Sequence, residues 1–324
     1  MSDYKEMVFS PQATSRLSLQ MVDNLRKDAG GGIRSGIGGL DSILLPFRPG
    51  ELITVLGYTS NYKSGFMNWL SKQAIKTIEP ESNEIVIRVT WEQSVEEDTI
   101  SWLSGVSDIS ITKMARGLID DREWNILQHK AVDRAVTPMW IVGHSQIESG
   151  ERKRTRPRMT LPDVSNAIEH ICNDATAATL SPKMIVLDYL QRIRPAEEDG
   201  YTKREQMMEA VNRAKDMAIS FGCPVVLGVQ TGRQVMERAI KIPGIEDGQE
   251  TSNIEQSSDK MFSVWYPIKT EDKHSLVGGE EVTKNLLIVR LLKQKLGEAP
   301  ATFALYVDPE RNIIAGREKL AEVK

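Results

Sequence analysis

Cysteine is nearly missing from this chain: Cys172 and Cys223 are the only two in 324 residues. Their spacing matches no zinc pattern, and one pair in so long a chain is no disulfide framework, which leaves two core thiols in a reducing cytosol. Histidine is scarce too. His129, His144, His170 and His274 are the whole set, and none stands at metal-ligand spacing. No run of about 18 apolar residues occurs, so no membrane span is expected. The first residues, MSDYKEMVFS, are charged and hold no apolar signal core. A surplus of positive charge is absent as well. The formal net charge is -4, so any nucleic-acid surface has to be local, such as a pore or one face. No internal repeat at a period of about 20–50 residues is visible, which sets solenoids aside.

What is present is the composition of an ordinary globular protein, 40% hydrophobic and 27% charged. The length suits one large α/β domain with a short appendage, or two small domains. Residues 10–28 place Leu17, Met21 and Leu25 every fourth position with Val22 beside them, an amphipathic helix opened by Ser10-Pro11 and closed by Gly30-Gly31-Gly32. A helix set off by three glycines either folds back on its own core or docks on a neighbouring subunit.

Beyond that joint, apolar runs alternate with helical patterns. Strands are expected at 51–56, 84–89, 139–142, 184–187, 224–229, 261–265 and 286–291. Helices are expected at 64–77, at 161–172 with Val164, Ile168 and Ile171 on one face, and at 204–220 with Met207, Val211, Ala214 and Ala218 on one face. Near-continuous apolar strands separated by helices mean a mostly parallel sheet covered on both sides. The last strands have no helical spacers, so an antiparallel edge is expected there. Between the third strand and the next helix, residues 151–158 hold five basic side chains in eight positions. They form a solvated loop, a nucleic-acid contact or a subunit contact.

The chemistry concentrates in Gly57-Tyr-Thr-Ser-Asn-Tyr-Lys63-Ser64. It follows a strand and opens a helix, the setting a phosphate-binding loop requires. Backbone N–H groups and the helix N-terminus would receive phosphate oxygens, Lys63 would reach the β- and γ-phosphates of ATP, and the Ser64 hydroxyl would hold Mg2+. The candidate nucleotide contacts are Gly57, Thr59, Ser60, Asn61, Tyr62, Lys63, Ser64 and Gly65. The usual pattern is G-x-x-x-x-G-K-[ST]; Tyr62 replaces its second glycine, which costs strain or reshapes the loop.

Three further strand ends converge on the same chemistry. The fourth expected strand ends in Asp188, a carboxylate for the Mg2+ shell or a plain strand-end turn residue. The second is followed by Glu92, a general base for water. The fifth is followed by Gln230, an amide able to sense a γ-phosphate. Ligands bind outside the carboxyl ends of strands in open α/β sheets.

These residues resemble the RecA-like C-terminal motor domain of DnaB-type replicative helicases, in order from about residue 10 to about 315. Gly36-Ile-Gly-Gly-Leu-Asp41 is similar to the family's TG-x-x-x-LD segment. Arg116-Gly-Leu-Ile-Asp-Asp-Arg-Glu-Trp124 is similar to a helical family segment. Asp188-Tyr-Leu-Gln191 matches the DYLQ signature, and Gly222-Cys-Pro-Val-Val226 with Gln230 follows it. Ser252-Asn-Ile-Glu-Gln-Ser-Ser-Asp259 resembles G-S-I-E-Q-D-A-D, and Lys293-Gln-Lys295 stands where the family has K-Q-R.

The resemblance implies a RecA-like domain at residues 33–324 behind an N-terminal arm with a linker helix at 1–32. It implies ATP and Mg2+ as cofactors, with Glu92 as base, Asp188 linked to the metal and Gln230 as sensor. Lys293 and Lys295 would reach the ATP of the neighbouring subunit, a lysine taking the place of the arginine finger, keeping its charge and losing its planar fork. It implies a six-membered ring in which the linker helix docks on the next subunit, and pore loops at about 192–204 and 232–252 that touch single-stranded DNA through Arg192, Arg194, Lys203, Arg204 and Arg233. The second stretch also carries Arg238 and Lys241, offset by Glu246, Asp247 and Glu250.

The family's N-terminal helical domain, which contacts primase, has no counterpart among the roughly 30 residues before the core. The expectation is therefore another replication or mobile-element partner, in the cytoplasm of a bacterial or phage-infected cell. An ATP-driven helicase or translocase is the leading reading. The alternatives are a nucleotide-gated ring or filament scaffold, to which Tyr62 and Lys295 point, and a recombination or signalling ATPase of the RecA or KaiC kind, against which the DYLQ and K-Q-K segments argue.

Overall fold

The computed structural model describes residues 8–27, 32–147, 159–173, 179–193, 202–238, 240–248 and 251–319. Helix α1 (Pro11–Lys27) comes first and buries none of its residues. The core follows as α2 (Gly38–Asp41), β1 (Leu52–Gly57), α3 (Lys63–Ile75), β2 (Glu84–Thr90), α4 (Val95–Ser107), α5 (Ile111–Ala115), α6 (Asp121–Ala135), β3 (Met139–Val142), α7 (Leu161–Asn173), β4 (Ser181–Asp188), α8 (Lys203–Ser220), β5 (Val225–Gln230), α9 (Thr251–Ser257) and β6 (Lys260–Trp265). A small hairpin, β7 (Leu276–Val277) and β8 (Glu280–Glu281), precedes β9 (Leu286–Gln294), β10 (Ala301–Asp308) and β11 (Ile313–Lys319).

One nine-stranded sheet runs in the order β11-β10-β9-β6-β1-β5-β4-β2-β3. The six strands from β6 to β3 are parallel, and β9, β10 and β11 are each antiparallel to their neighbours. The missing helical spacers after β6 had this consequence, because an antiparallel return needs no crossover helix.

Side chains alternate across β4. Met184 and Val186 enter the core beneath α3 with Phe66, Met67 and Leu70, while Ile185 and Leu187 enter the opposite core with Val164 and Ile168 of α7 and Val211 and Ala218 of α8. Both faces being covered, all six residues of β1 are buried. Local chemistry sets the helix starts: Ser94 with Glu97, Asp120 with Glu123 and Thr202 with Glu205 each form reciprocal caps. The Asp120 cap also corrects one expectation. In the segment 116–124 the helix begins only at Asp121, after a turn in which Gly117 has φ +66.

Candidate functional site

The carboxyl ends of β1, β5, β4 and β2 are adjacent in the sheet, and register aligns them: Gly57 pairs with Gln230, and Thr90 with Asp188. The loop 57–65 rises from β1 and turns into α3, whose N-terminus faces a cleft of about 510 Å³. Gly57–Gly65, Glu92, Gln93, Tyr189, Arg192 and Gln230 line it. Positive helix-end dipole and free N–H groups face that space, a setting suited to anions.

Lys63 and Asp188 meet at the centre. Lys63 Nζ donates to Asp188 Oδ1 at 2.8 Å and lies 4.4 Å from the centroid of the Tyr189 ring. Burial pushes the Asp188 carboxyl up. The Lys63 charge and hydrogen bond, joined by a Ser64 hydrogen bond and the charge of Arg88, outweigh burial and hold it below the usual carboxylate range. Gly228 makes room for the lysine: a Cβ there would lie 2.9 Å from Lys63 Nζ and 2.9 Å from Met67 Sδ. Sequence reasoning passed over Gly228, although an isolated glycine inside an apolar strand is a signal of close approach.

Gln230 is fixed twice. Its side-chain amide donates to Thr59 Oγ1, and its backbone is clasped by Gln191, which accepts from Gln230 N at 3.0 Å and donates to Gln230 O at 2.8 Å. The fourth residue of the DYLQ run thus holds β5 in place beside β4. The peptide between Asp188 and Tyr189 is cis. Glu92 is exposed at the cleft rim on a turn that Thr90 closes through its hydroxyl, donating to Gln93 O at 2.9 Å and accepting from Gln93 N at 3.2 Å. Opposite it stands Arg192, whose Nε donates to Tyr189 Oη at 3.3 Å. Arg192 therefore belongs to the cleft wall.

Tyr62 occupies the left-handed region at φ 68 as the residue before α3, a conformation costing a side chain about 1–2 kcal/mol. Its ring lies over Gly65 and against Tyr266, and its hydroxyl donates to Asn312 Oδ1 at 2.7 Å. Asn61 is anchored beside Tyr266. It is buried, accepts from Tyr266 N at 2.9 Å, and ties the loop to the end of β6.

Lys293 and Lys295 lie elsewhere. β9 runs against β6 so that Gln294 pairs with Lys260, and Lys260 stands level with Ile53, four residues of β1 below Gly57, or about 13 Å at the usual strand rise. Both lysines sit at the amino ends of the parallel strands, away from their own chain's loop. Lys293 Nζ donates to Glu255 O at 2.5 Å, and Lys295 Nζ pairs with Asp259 Oδ1 at 2.5 Å.

Among the remaining basic candidates, Arg204 is exposed on the first turn of α8 and Arg233 is exposed just past β5. Arg238 forms a bidentate pair with Asp247 at 2.7 Å for both bonds, and Lys241 pairs with Glu271. Arg194, the side chain of Lys203, Glu250 and the basic segment 151–158 lie outside the described residues. No group of three metal-ligating side chains occurs among the described residues. Ser64 and Asp188 still fit Mg2+, which binds through one or two protein oxygens together with substrate phosphates.

The sheet order, the loop at its switch and the convergent strand ends define a RecA-like ATPase fold. The family model described as the DnaB-like helicase C-terminal domain matches residues 32–308, and the chain belongs to that family. Among curated relatives, the replicative DNA helicase DnaB of Mycoplasma genitalium is 23% identical over 83% of this chain and 53% of its own length. The replicative DNA helicase DnaC of Bacillus subtilis is 24% identical over 86% of this chain and 56% of its own. The chain thus spans about half the length of the curated relatives it matches. A solved structure of an isolated ATPase domain superposes with a TM-score of 0.78 at 18% identity, covering 95% of this chain and 100% of that one. A DnaB-like replicative helicase, solved in a study of its interactions with primase, gives 0.73 at 18% identity over 93% of this chain and 66% of that one. No helix among the described residues is long and apolar enough to cross a membrane.

Proposed function

We propose that this chain is an ATP-driven helicase or translocase on single-stranded DNA, working as a hexameric ring in replication or a related process in a bacterial or phage-infected cell. The observation that carries the reading is the buried Lys63–Asp188 pair at the α3 N-terminus, with Glu92 and Gln230 facing the same cleft. The arm 1–32 serves assembly and residues 33–324 form the motor.

ATP enters with its phosphates on the backbone N–H groups of residues 59–65. Lys63 swings from Asp188 to the β- and γ-phosphate oxygens, and Asp188 keeps the Ser64 hydroxyl in position. Ser64 and Asp188 would hold Mg2+, which would supply charge neutralisation at the phosphates. Glu92 takes a proton from the attacking water, which its exposure at the rim permits. Gln230, pinned by Thr59 and Gln191, registers the γ-phosphate and passes its loss to the segment that follows β5, where Arg233 lies. Lys293 and Lys295, at the opposite end of the sheet, serve the cleft of the next subunit. The chemistry is positioning and electrostatic stabilisation.

A second reading, a nucleotide-gated scaffold with little hydrolysis, draws on Tyr62 in the left-handed region and on Lys295 engaged with Asp259 in its own chain. Steady-state ATPase rates with and without single-stranded DNA decide between them. A DNA-stimulated rate that Glu92→Gln abolishes supports the motor. Bound ATP without turnover transfers the lead to the scaffold.

A further inference from the structure

Tyr62 departs from the glycine of the common loop pattern, and the structure gives its side chain a task. Tyr62 Oη donates to Asn312 Oδ1 at 2.7 Å across 250 residues of sequence. Asn312 is buried in the turn between β10 and β11, with φ 49. Its side-chain amide donates onward to Ser101 Oγ at 3.2 Å, and its carbonyl accepts from Lys72 Nζ at 3.4 Å. Ser101 lies in α4, the helix whose cap, Ser94, follows Glu92 by two residues. Lys72 lies in α3, which the phosphate loop opens. One buried asparagine thus joins the loop, the helix behind it and the helix that carries the Glu92 turn.

The same turn is anchored from outside. Glu310 accepts from Thr112 Oγ1 at 3.1 Å and from Ser110 Oγ, and its carbonyl accepts from Ser104 Oγ at 2.7 Å. Tyr62 itself is a partition. On one side is the phosphate cleft; on the other is a cavity of about 710 Å³ lined by Tyr266, Tyr306, Asp308 and Arg311 among others, and Ser60 and Tyr62 line both. The ring packs so close over α3 that a Cβ on Gly65 would sit 2.5 Å from Tyr62 Cε1.

We propose that Tyr62 and Asn312 form a strut that sets the distance between the phosphate loop and Glu92. Tyr62 is then a positioning residue: its hydroxyl governs how the general base meets the γ-phosphate, while the loop backbone governs nucleotide affinity. The proposal rests on the hydrolytic reading above for its consequence in turnover, and on geometry alone for the strut.

Two variants cut the strut at separate bonds. Tyr62→Phe keeps the ring and loses the bond to Asn312; Ser101→Ala keeps that bond and loses the link to α4. Each should lower kcat for ATP about fivefold or more while KM changes less than about twofold. The double variant should fall no further than the more impaired single one, because both cuts break one connection. Unchanged kcat in Tyr62→Phe, a rise in KM with kcat intact, or two falls that multiply would each overturn the proposal. Amide exchange on the nucleotide-free chain reads the strut without turnover. Tyr62→Phe should speed exchange in 59–65, 308–312 and 95–101 together, and a rise confined to 59–65 overturns the coupling. A wild-type chain that hydrolyses no ATP would remove the motor reading and leave this exchange result to decide the strut.

Discussion

Lys63 Nζ and Asp188 Oδ1 stand 2.8 Å apart with side chains 10% and 8% exposed, so the cation that would hold phosphate also neutralises a buried carboxylate. Removing the lysine then has two separable effects. Lys63→Met should abolish ATP binding, and it should destabilise the fold by about 3–5 kcal/mol because a buried carboxylate loses its partner. Adding Asp188→Asn should recover part of the stability and none of the binding. Titration calorimetry and thermal melts check these outcomes, and an unaltered ATP affinity in Lys63→Met would end the phosphate-loop reading.

The same pair has a signature in pH. In the wild type the Asp188 carboxyl is depressed below its ordinary value despite burial. Its contribution is therefore present above the unfolded value of about 3.9 and is lost as pH falls through the folded value. In Lys63→Met the burial that raises the carboxyl is no longer opposed by the lysine. The sign reverses for a raised carboxyl: protonation then favours the folded state, and stability declines as pH rises through the folded value. The stability gap between the two proteins should narrow on acidification from neutral toward about pH 4. A gap constant across that range would mean that the two groups do not interact.

Arg233 differs from its basic neighbours. Arg238 is held by Asp247 and Lys241 by Glu271, whereas Arg233 is exposed and forms no ion pair among the described residues. Arg233→Ala should weaken single-stranded DNA binding and reduce the slope of log affinity against log salt by about 0.7. Arg238→Ala should leave that slope unchanged. Equal slopes for wild type and Arg233→Ala would take Arg233 out of the DNA contact.

How much of this was legible in advance follows from the range of each interaction. Strands β1, β2, β4 and β5 read directly from apolar runs, because a strand covered on both faces is apolar at every position. Their carboxyl-end residues followed at once, since a parallel sheet puts those ends on one edge. The turn that holds Asn312 did not read this way. Nothing local marks it as the partner of Tyr62, and only the closing of β9, β10 and β11 onto β6 brings the two together. Arg192 looked like any basic loop residue until the short turn after Asp188 carried it back beside Tyr189. The location of Lys293 and Lys295 depended on the register of β9 against β6, which the antiparallel expectation alone does not give.

Helix α1 has Leu17, Met21 and Val22 exposed and no buried residue. An isolated helix of this length is marginal in water, and in the proposed ring its apolar face would be covered by a neighbouring subunit. Removing residues 1–28 should convert the assembly to smaller species in light scattering while leaving the melting temperature of the core within a few degrees. A truncated chain that still forms full-sized rings would show that α1 does not hold subunits together.

Lys295 offers the sharpest test of the ring. It is 62% exposed, engages Asp259, and sits at the sheet end opposite its own phosphate loop. A residue so placed stands away from its own subunit's nucleotide site, so any action on ATP would be on that of another subunit. Lys295→Ala should keep ATP affinity and lose at least about tenfold in turnover, a smaller loss than an arginine finger causes because lysine lacks the bidentate fork. Glu92→Gln should also bind ATP and fail to turn it over. In mixed assemblies some clefts pair the intact Glu92 of a Lys295→Ala subunit with the intact Lys295 of a Glu92→Gln neighbour. Mixing the two impaired proteins should therefore raise ATPase activity above the sum of the separate rates, with a maximum near equal proportions. If the mixture only matches that sum while exchange of subunits is demonstrated, Lys295 does not act across the interface, and its bond to Asp259 is structural.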